Sequence, residues 1–392
     1  MKEKNQVGLM GMLAIFSVFL LQGGIGNLNP AINAIAEGLG MDPVIVTQVA
    51  SFPSFFAIII SFIAGRYVGK KIKYKTLLIS VILIFGIGGS LPILIQTWPV
   101  IMFSRACVGI AVGTFFTLAP ALVLKLYEGA KQGNIMGVGN SVATLGGVVV
   151  QILSGFLVDI SWVLAFAVHL IGIVSLLLVV IFLPEPEEIQ QSENKEKIKV
   201  KLPFNVYLNS TITLLFMMLT IPIIISLSII MADRGIGSGL ESGTAMSMFT
   251  IGGTVLSLLF GPMYNFFKRF TVVIILLVSA IGMIMVYLAS SLIMIFVGMF
   301  IIGIGLLITP ALMMDNNKII DPSKIAVASS VVIIFTNVGN FLASYFLILV
   351  NKLGANLTMP YPGVFITIIL MVAMSVIWFI VRLKQGEPEF QE

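Results

Sequence analysis

Long apolar runs, separated by short polar or basic segments, fill the chain from residue 8 to residue 383. Twelve can be drawn, at roughly 8–36, 44–69, 74–94, 98–126, 132–158, 161–183, 204–232, 241–267, 270–289, 291–319, 323–350 and 361–383. A helix of about 20 such residues crosses a bilayer. The runs are continuous, whereas a membrane barrel strand alternates lipid-facing and lumen-facing residues over about ten positions. Helices also satisfy their own backbone hydrogen bonds, which lipid cannot do for them. The pattern predicts an all-α polytopic membrane protein with twelve transmembrane helices.

The charges between the runs test that count. With the N-terminus in the cytoplasm and sides alternating, the inner segments receive 19 of the 22 Lys and Arg, and the outer loops only Arg234 and Lys352. Such a bias is what orients membrane helices, and a missed or extra helix would scramble it. Both termini are therefore expected in the cytoplasm, in the cell membrane. The longest internal polar segment, Pro184–Pro203, divides the runs six and six. It predicts a bundle over 1–183, a cytoplasmic linker over 184–203 and a second bundle over 204–392, folded as a monomer.

Composition removes several classes. The chain is 58% hydrophobic and 10% charged, with mean hydropathy +1.11. The net charge of +5 orients the protein in the membrane and implies no nucleic acid. A lone Cys107 gives no intrachain disulfide, and a lone His169 gives no His/Cys metal cluster. No nucleophile–base pair or nucleotide-binding segment suggests an enzyme or a primary pump, and no cofactor is expected. The apolar run after Met1–Gln6 reads as a first transmembrane helix rather than a removed signal peptide.

One residue breaks the pattern. Arg105 is the only charge in Pro99–Leu124. If the helix begins near Trp98, it lies about 10 Å deep at 1.5 Å per residue. An arginine there costs at least roughly 2.5–3.5 kcal/mol on insertion scales. A partner, water or a bound anion must offset that cost. Gly109 and Gly113 follow on the same face, where another helix can approach closely. No Asp or Glu lies in the middle of any run, so this cation has no obvious counter-ion.

The two halves share features. Gly65-Arg-Tyr-Val-Gly69-Lys-Lys-Ile-Lys73-Tyr-Lys75 follows the second run, and Gly261-Pro-Met-Tyr-Asn265-Phe-Phe-Lys268-Arg269 follows the eighth, 196 residues later. Ala119-Pro120-Ala121-Leu122 in the fourth run matches Thr309-Pro310-Ala311-Leu312 in the tenth. Corresponding positions of this kind indicate an internal duplication.

These residues resemble the major facilitator superfamily over essentially the whole chain. Gly65, Lys70, Lys73 and Lys75 match in kind its loop between helices 2 and 3. Gly69 stands where that family carries an acid, and Asn265 stands there in the second copy. Arg105 and Gly109 match its fourth-helix Arg-x-x-x-Gly, an arginine linked in the family to proton coupling or substrate charge. The fifth-helix motif of the drug/proton antiporters is only half present: Gly139, Gly146 and Gly147 are small, but its proline is missing. The resemblance implies two six-helix bundles rocking about a site near the membrane midplane. It assigns Gly65, Lys70, Lys73, Gly261, Asn265 and Lys268 to gating.

The remaining candidates are polar residues inside the runs. Gln22 and Asn27 sit in a glycine- and proline-weakened stretch of the first helix, where exposed backbone can line a cavity. Asn140 lies in the fifth helix. Asn337 and Asn340 share a face of the eleventh with Ser344, and Tyr345 follows. Together with Arg105 these are the expected substrate contacts. His169 is the only residue in the runs whose ordinary titration falls near neutrality, so His169, Arg105 and Asp233 are candidates for proton coupling. A lone cation without an intramembrane carboxylate favours an anion. The expected function is a secondary transporter of a small organic anion or carboxylate, with coupling to protons as one option. The alternative is a proton-coupled exporter of hydrophobic compounds. A sensor that binds without transporting is a further alternative.

Overall fold

The computed structural model describes residues 8–67, 72–186, 202–321 and 324–384. Among them, eleven helical stretches are long and apolar enough to cross a membrane. Contacts divide the chain into two compact units, Met1–Glu193 with Ser238–Gly243, and Asn194–Gly237 with Thr244–Glu392.

In the first unit the first span is not one helix. Leu9–Leu21 passes into two short 3-10 turns, Gln22–Ile25 and Asn29–Ala31, before Ile32–Leu39 resumes. Gly23, Gly24 and Gly26 lower helix propensity, and Pro30 cannot donate its backbone bond, so the interruption falls where the sequence is weakest. The second span is Pro43–Val46 followed by Gln48–Tyr67. The third is Tyr74–Leu83 with a π turn at Ile84–Gly88. The fourth, Trp98–Leu126, is unbroken over 29 residues and much of it is buried. The fifth is Gly129–Ile160, and the sixth joins a 3-10 segment, Trp162–Leu170, to Ile171–Phe182.

The fourth helix lies directly on the second. A Cβ at Gly109 would sit 2.3 Å from the Pro53 carbonyl oxygen, and one at Gly113 would sit 2.6 Å from that of Ala57. Only glycine permits backbones this close. Glu185, at the start of the predicted linker, accepts from the backbone N–H groups of Tyr74 (2.6 Å) and Lys75 (2.9 Å). The third helix has Lys73 at its N-cap, which makes no capping bond, so Glu185 satisfies donors that would otherwise be orphaned.

In the second unit, the seventh span is Phe204–Ile225 and Leu227–Asp233, broken three residues after Pro222. The eighth is Gly239–Ser257, whose first turn is grouped with the first unit, followed by Phe260–Phe267. The sequence predicts one continuous helix over 241–267; instead Leu258 and Leu259 form a turn. The ninth is Thr271–Tyr287. The tenth is Leu292–Ile302, a 3-10 segment Gly303–Leu307, and Ile308–Asn317. Ile325–Leu353 and Pro362–Lys384 are the eleventh and twelfth spans; Gly239–Ser257 is the one of the twelve outside the eleven membrane-length stretches, where Phe260–Tyr287 runs as a single stretch. A Cβ at Gly303 in the tenth helix would lie 2.4 Å from the Phe249 carbonyl oxygen of the eighth. Pro53 and Phe249 are 196 positions apart, the spacing of the repeated loop sequences. The same glycine-on-carbonyl crossing thus recurs in both units, each time between the second and fourth helix of its block.

Candidate functional site

Asn27, Arg105 and His169 lie far apart in sequence and meet in the first unit. The glycine-rich break in the first helix turns Asn27 inward. The fourth helix carries Arg105, and the 3-10 segment of the sixth carries His169. All three are 0% exposed. Arg105 Nη2 is 2.9 Å from His169 Nε2. Its Nη1 donates to Asn27 Oδ1 at 3.4 Å, and Nη2 also donates to Ser104 Oγ at 3.4 Å. Asn27 Nδ2 is 2.9 Å from the same His169 Nε2. Ser104 Oγ donates to the Gly89 carbonyl at 2.9 Å. The guanidinium carbon lies 5.8 Å from the centre of the Phe166 ring.

The magnitudes indicate what holds Arg105 there. A hydrogen bond to a charged group contributes about 1.5–3 kcal/mol, but the two 3.4 Å contacts are long and weak. One short bond and a ring contact of about 0.5–2 kcal/mol are enough to offset the insertion cost. They do not neutralise the charge. Among the described residues every partner is formally uncharged, and Arg105 Nε is buried with no partner. Among the described residues the only buried carboxylate is Asp315, in the second unit.

Gln22 joins this region from a neighbouring position. It is buried, and its Nε2 donates to the Phe115 carbonyl of the fourth helix at 3.2 Å. Asn140 is exposed on the fifth helix; its backbone carbonyl accepts from Thr144 Oγ1 at 3.0 Å. In the second unit, Asn337 Nδ2 donates to the Ile333 carbonyl at 3.0 Å, within its own helix. Asn340 Oδ1 and Ser344 Oγ are buried without partners. Tyr345 is exposed, its ring 5.1 Å from that of Phe341. Asp233 is exposed at a helix end, bonded to the Tyr361 hydroxyl. Of the loop candidates, Gly65 lies in the last turn of Gln48–Tyr67, Lys73 is exposed, and Lys70 lies outside the described residues. Gly261 has open space around it, Asn265 is exposed, and Lys268 adopts φ +46° at the end of Phe260–Phe267.

A second buried charge cluster is not evident from the sequence. Arg382 Nη2 lies 2.5 Å from Asp315 Oδ2, and the Tyr264 hydroxyl donates to Asp315 Oδ1 at 2.7 Å. The guanidinium sits 4.7 Å from the Trp378 ring, and the Lys318 ammonium sits 4.6 Å from that of Tyr264. On the page of the sequence, Asp315 and Arg382 are helix-end charges 67 residues apart, indistinguishable from interfacial ones. No periodicity marks them as partners.

The described residues form membrane-length helical spans in two similar blocks, with a polar cluster buried in each. The sequence profile of the Major Facilitator Superfamily matches residues 14–232 and again 210–392. The chain belongs to that superfamily and is a secondary transporter by class. Solved structures agree on the fold. A bacterial homologue of the human lysosomal transporter Spinster, inward-facing and occupied, aligns with TM-score 0.72 at 16% identity, covering 96% of each chain. The nucleoside transporter NupG aligns with TM-score 0.72 at 15% identity, covering 96% of this chain and 99% of its own. The POT family transporter PepTSo aligns with TM-score 0.76 at 8% identity, covering 98% and 100%. No curated protein sequence matches the chain.

Proposed function

We propose that this transporter moves a small organic anion, most simply a carboxylate, by alternating access. One observation carries the reading: Arg105 is a fully buried cation held by uncharged groups, and its Nε has no partner among the described residues. In a low-dielectric interior an unneutralised charge attracts a counter-ion strongly, and arginine presents carboxylates with paired donors. The guanidinium is enclosed in this conformation, so an anion reaches it when the Asn27 contact opens. Gln22, next to the same helix break, is the neighbouring candidate contact in the first unit. The basic bias between the spans supports placement in the cell membrane with both termini in the cytoplasm. The test is a thermal-shift screen of the purified protein with benzoate, lactate, uridine and tetraphenylphosphonium. Benzoate or lactate is expected to stabilise the wild type and not Arg105→Gln. Stabilisation by tetraphenylphosphonium alone would replace this reading with export of hydrophobic cations.

A further inference from the structure

His169 is the residue whose chemistry nominates it as a proton carrier, yet its surroundings fit a different role. Its Nδ1 lies 2.8 Å from the Phe166 carbonyl oxygen. A carbonyl only accepts, so Nδ1 carries the hydrogen. Its Nε2 is 2.9 Å from Arg105 Nη2, and a guanidinium only donates. Nε2 must therefore present its lone pair. The amide nitrogen of Asn27, also 2.9 Å away, is a second donor aimed at the same atom.

The set is complete for the neutral Nδ1–H imidazole and wrong for the imidazolium. A proton on Nε2 would face two N–H groups and place a second positive charge against the guanidinium. Turning the Asn27 amide would supply an acceptor to His169 but withdraw the one that Arg105 Nη1 uses. The ring cannot swing away either. Phe85 stands edge-to-face against it at 5.2 Å, and a Cβ on Gly89 would lie 2.6 Å from the imidazole Cγ. The groups around the ring come from four elements: Asn27 from the first helix, Phe85 and Gly89 from the third, Ser104 and Arg105 from the fourth, Phe166 from the sixth. Arg105 is the only charged one. Cys107, on the same helix as Arg105, packs against Gly88.

We propose that His169 is a positioning residue: a permanently neutral acceptor that, with Asn27, aims the guanidinium of Arg105 and leaves its Nε–H unused. It is not the proton carrier, so any proton that drives transport binds elsewhere. The proposal extends the anion reading by giving Arg105 its orientation, but its test uses no anion.

His169 is the only histidine in the chain, so histidine labelled with 15N reports one imidazole without ambiguity. The full-length protein would be purified through a histidine-free tag and reconstituted in lipid nanodiscs. The expected spectrum has a pyrrole-type Nδ1 and a pyridine-type Nε2, unchanged from about pH 5 to 8, where an ordinary histidine changes charge. Convergence of the two resonances on imidazolium values within that window would overturn the proposal. In Arg105→Met the Nε2 resonance is expected to shift more than Nδ1, because its charged donor is gone; an unmoved Nε2 would also overturn it. His169→Gln, which keeps an acceptor, is expected to melt close to the wild type, with His169→Leu well below it. Equal melting of the two variants would count against the acceptor role. Absence of anion binding with the neutral spectrum intact would sink the anion reading alone.

Discussion

Among the described residues, the two fully or nearly buried arginines solve the same physical problem differently. Arg382, 8% exposed, is met by a carboxylate whose other oxygen is held by Tyr264. Arg105, 0% exposed, is met by an imidazole, an amide and a hydroxyl. The first arrangement cancels the charge inside the chain and joins the eighth, tenth and twelfth helices of the second unit. The second fixes the direction of the guanidinium without cancelling its charge. A charge already neutralised has nothing to offer a ligand, whereas one that is oriented and uncancelled does. On the proposed anion reading, the contrast sets an ion pair that serves the fold against a cation left for a ligand, a distinction that burial alone would miss.

The contrast breaks most visibly at Asp315. Removing one member of a buried pair leaves its partner uncompensated, at a cost of about 3–5 kcal/mol. Asp315→Ala is expected to lose that much stability, Asp315→Asn less because it still accepts from Tyr264. The double variant Asp315→Leu with Arg382→Leu should recover much of the loss, since an apolar replacement of a buried pair is often neutral. The buried Cys107, the only thiol, provides the readout: a thiol-reactive fluorophore reports its exposure on heating. If Asp315→Ala melts like the wild type, the pair is not structural and the distinction drawn above fails.

The next effect asks whether the two units are built alike. Gly109 on Pro53 and Gly303 on Phe249 are close helix crossings of the same kind. Adding a side chain to a packed interface costs typically about 1–3 kcal/mol. Gly109→Val and Gly303→Val are expected to destabilise by similar amounts in the same melting assay. A large difference between them would show that the repeat is one of sequence spacing and not of packing.

These crossings also show how much was legible in the sequence. Span positions and the break at Gly23–Pro30 follow from local pattern, because propensity and hydropathy act over a few residues. The repeat spacing was visible in the Gly65 and Gly261 loops, though not the glycine–carbonyl contacts beneath it. Partners were not legible. Asn27 and His169 are 142 residues apart, and nothing in the neighbourhood of either points to the other. Asn140 and Asn27 look equivalent as lone amides in apolar runs, yet one is exposed and the other completes the Arg105 cluster. Burial of a polar side chain is decided by which helix packs against it, and that is a tertiary fact.

A smaller effect is expected where the fifth helix ends. Asp159 accepts from the backbone N–H groups of Gly239 (2.6 Å) and Leu240 (2.9 Å), at the N-terminus of the eighth helix. Ser238 and Glu241 complete the cap, the Ser238 hydroxyl bonding both acids and its N–H reaching Glu241 at 2.8 Å. Loss of a cap of this kind costs about 1 kcal/mol, so Asp159→Ala should lower the melting temperature slightly and Asp159→Asn less. A drop as large as that of Asp315→Ala would mean that Asp159 does more than cap a helix.

The smallest stability change is expected at the residue with the largest functional one. Arg105→Gln removes a buried, uncancelled charge, which favours the folded state. It also takes the donor from His169 Nε2 and Asn27 Oδ1, which disfavours it by about 1–3 kcal/mol if neither finds another partner. Glutamine can return one N–H to that space, so the two terms nearly offset and the melting temperature should move little. Benzoate stabilisation, by contrast, should fall by about tenfold or more in affinity, the equivalent of one charge-assisted hydrogen bond. Arg382→Gln should show the reverse: a clear loss of stability with Asp315 left unpaired, and binding unchanged in whatever protein remains folded. If Arg105→Gln proves as destabilising as Arg382→Gln and binds benzoate as before, Arg105 is a second structural arginine and the charge it carries serves only the fold.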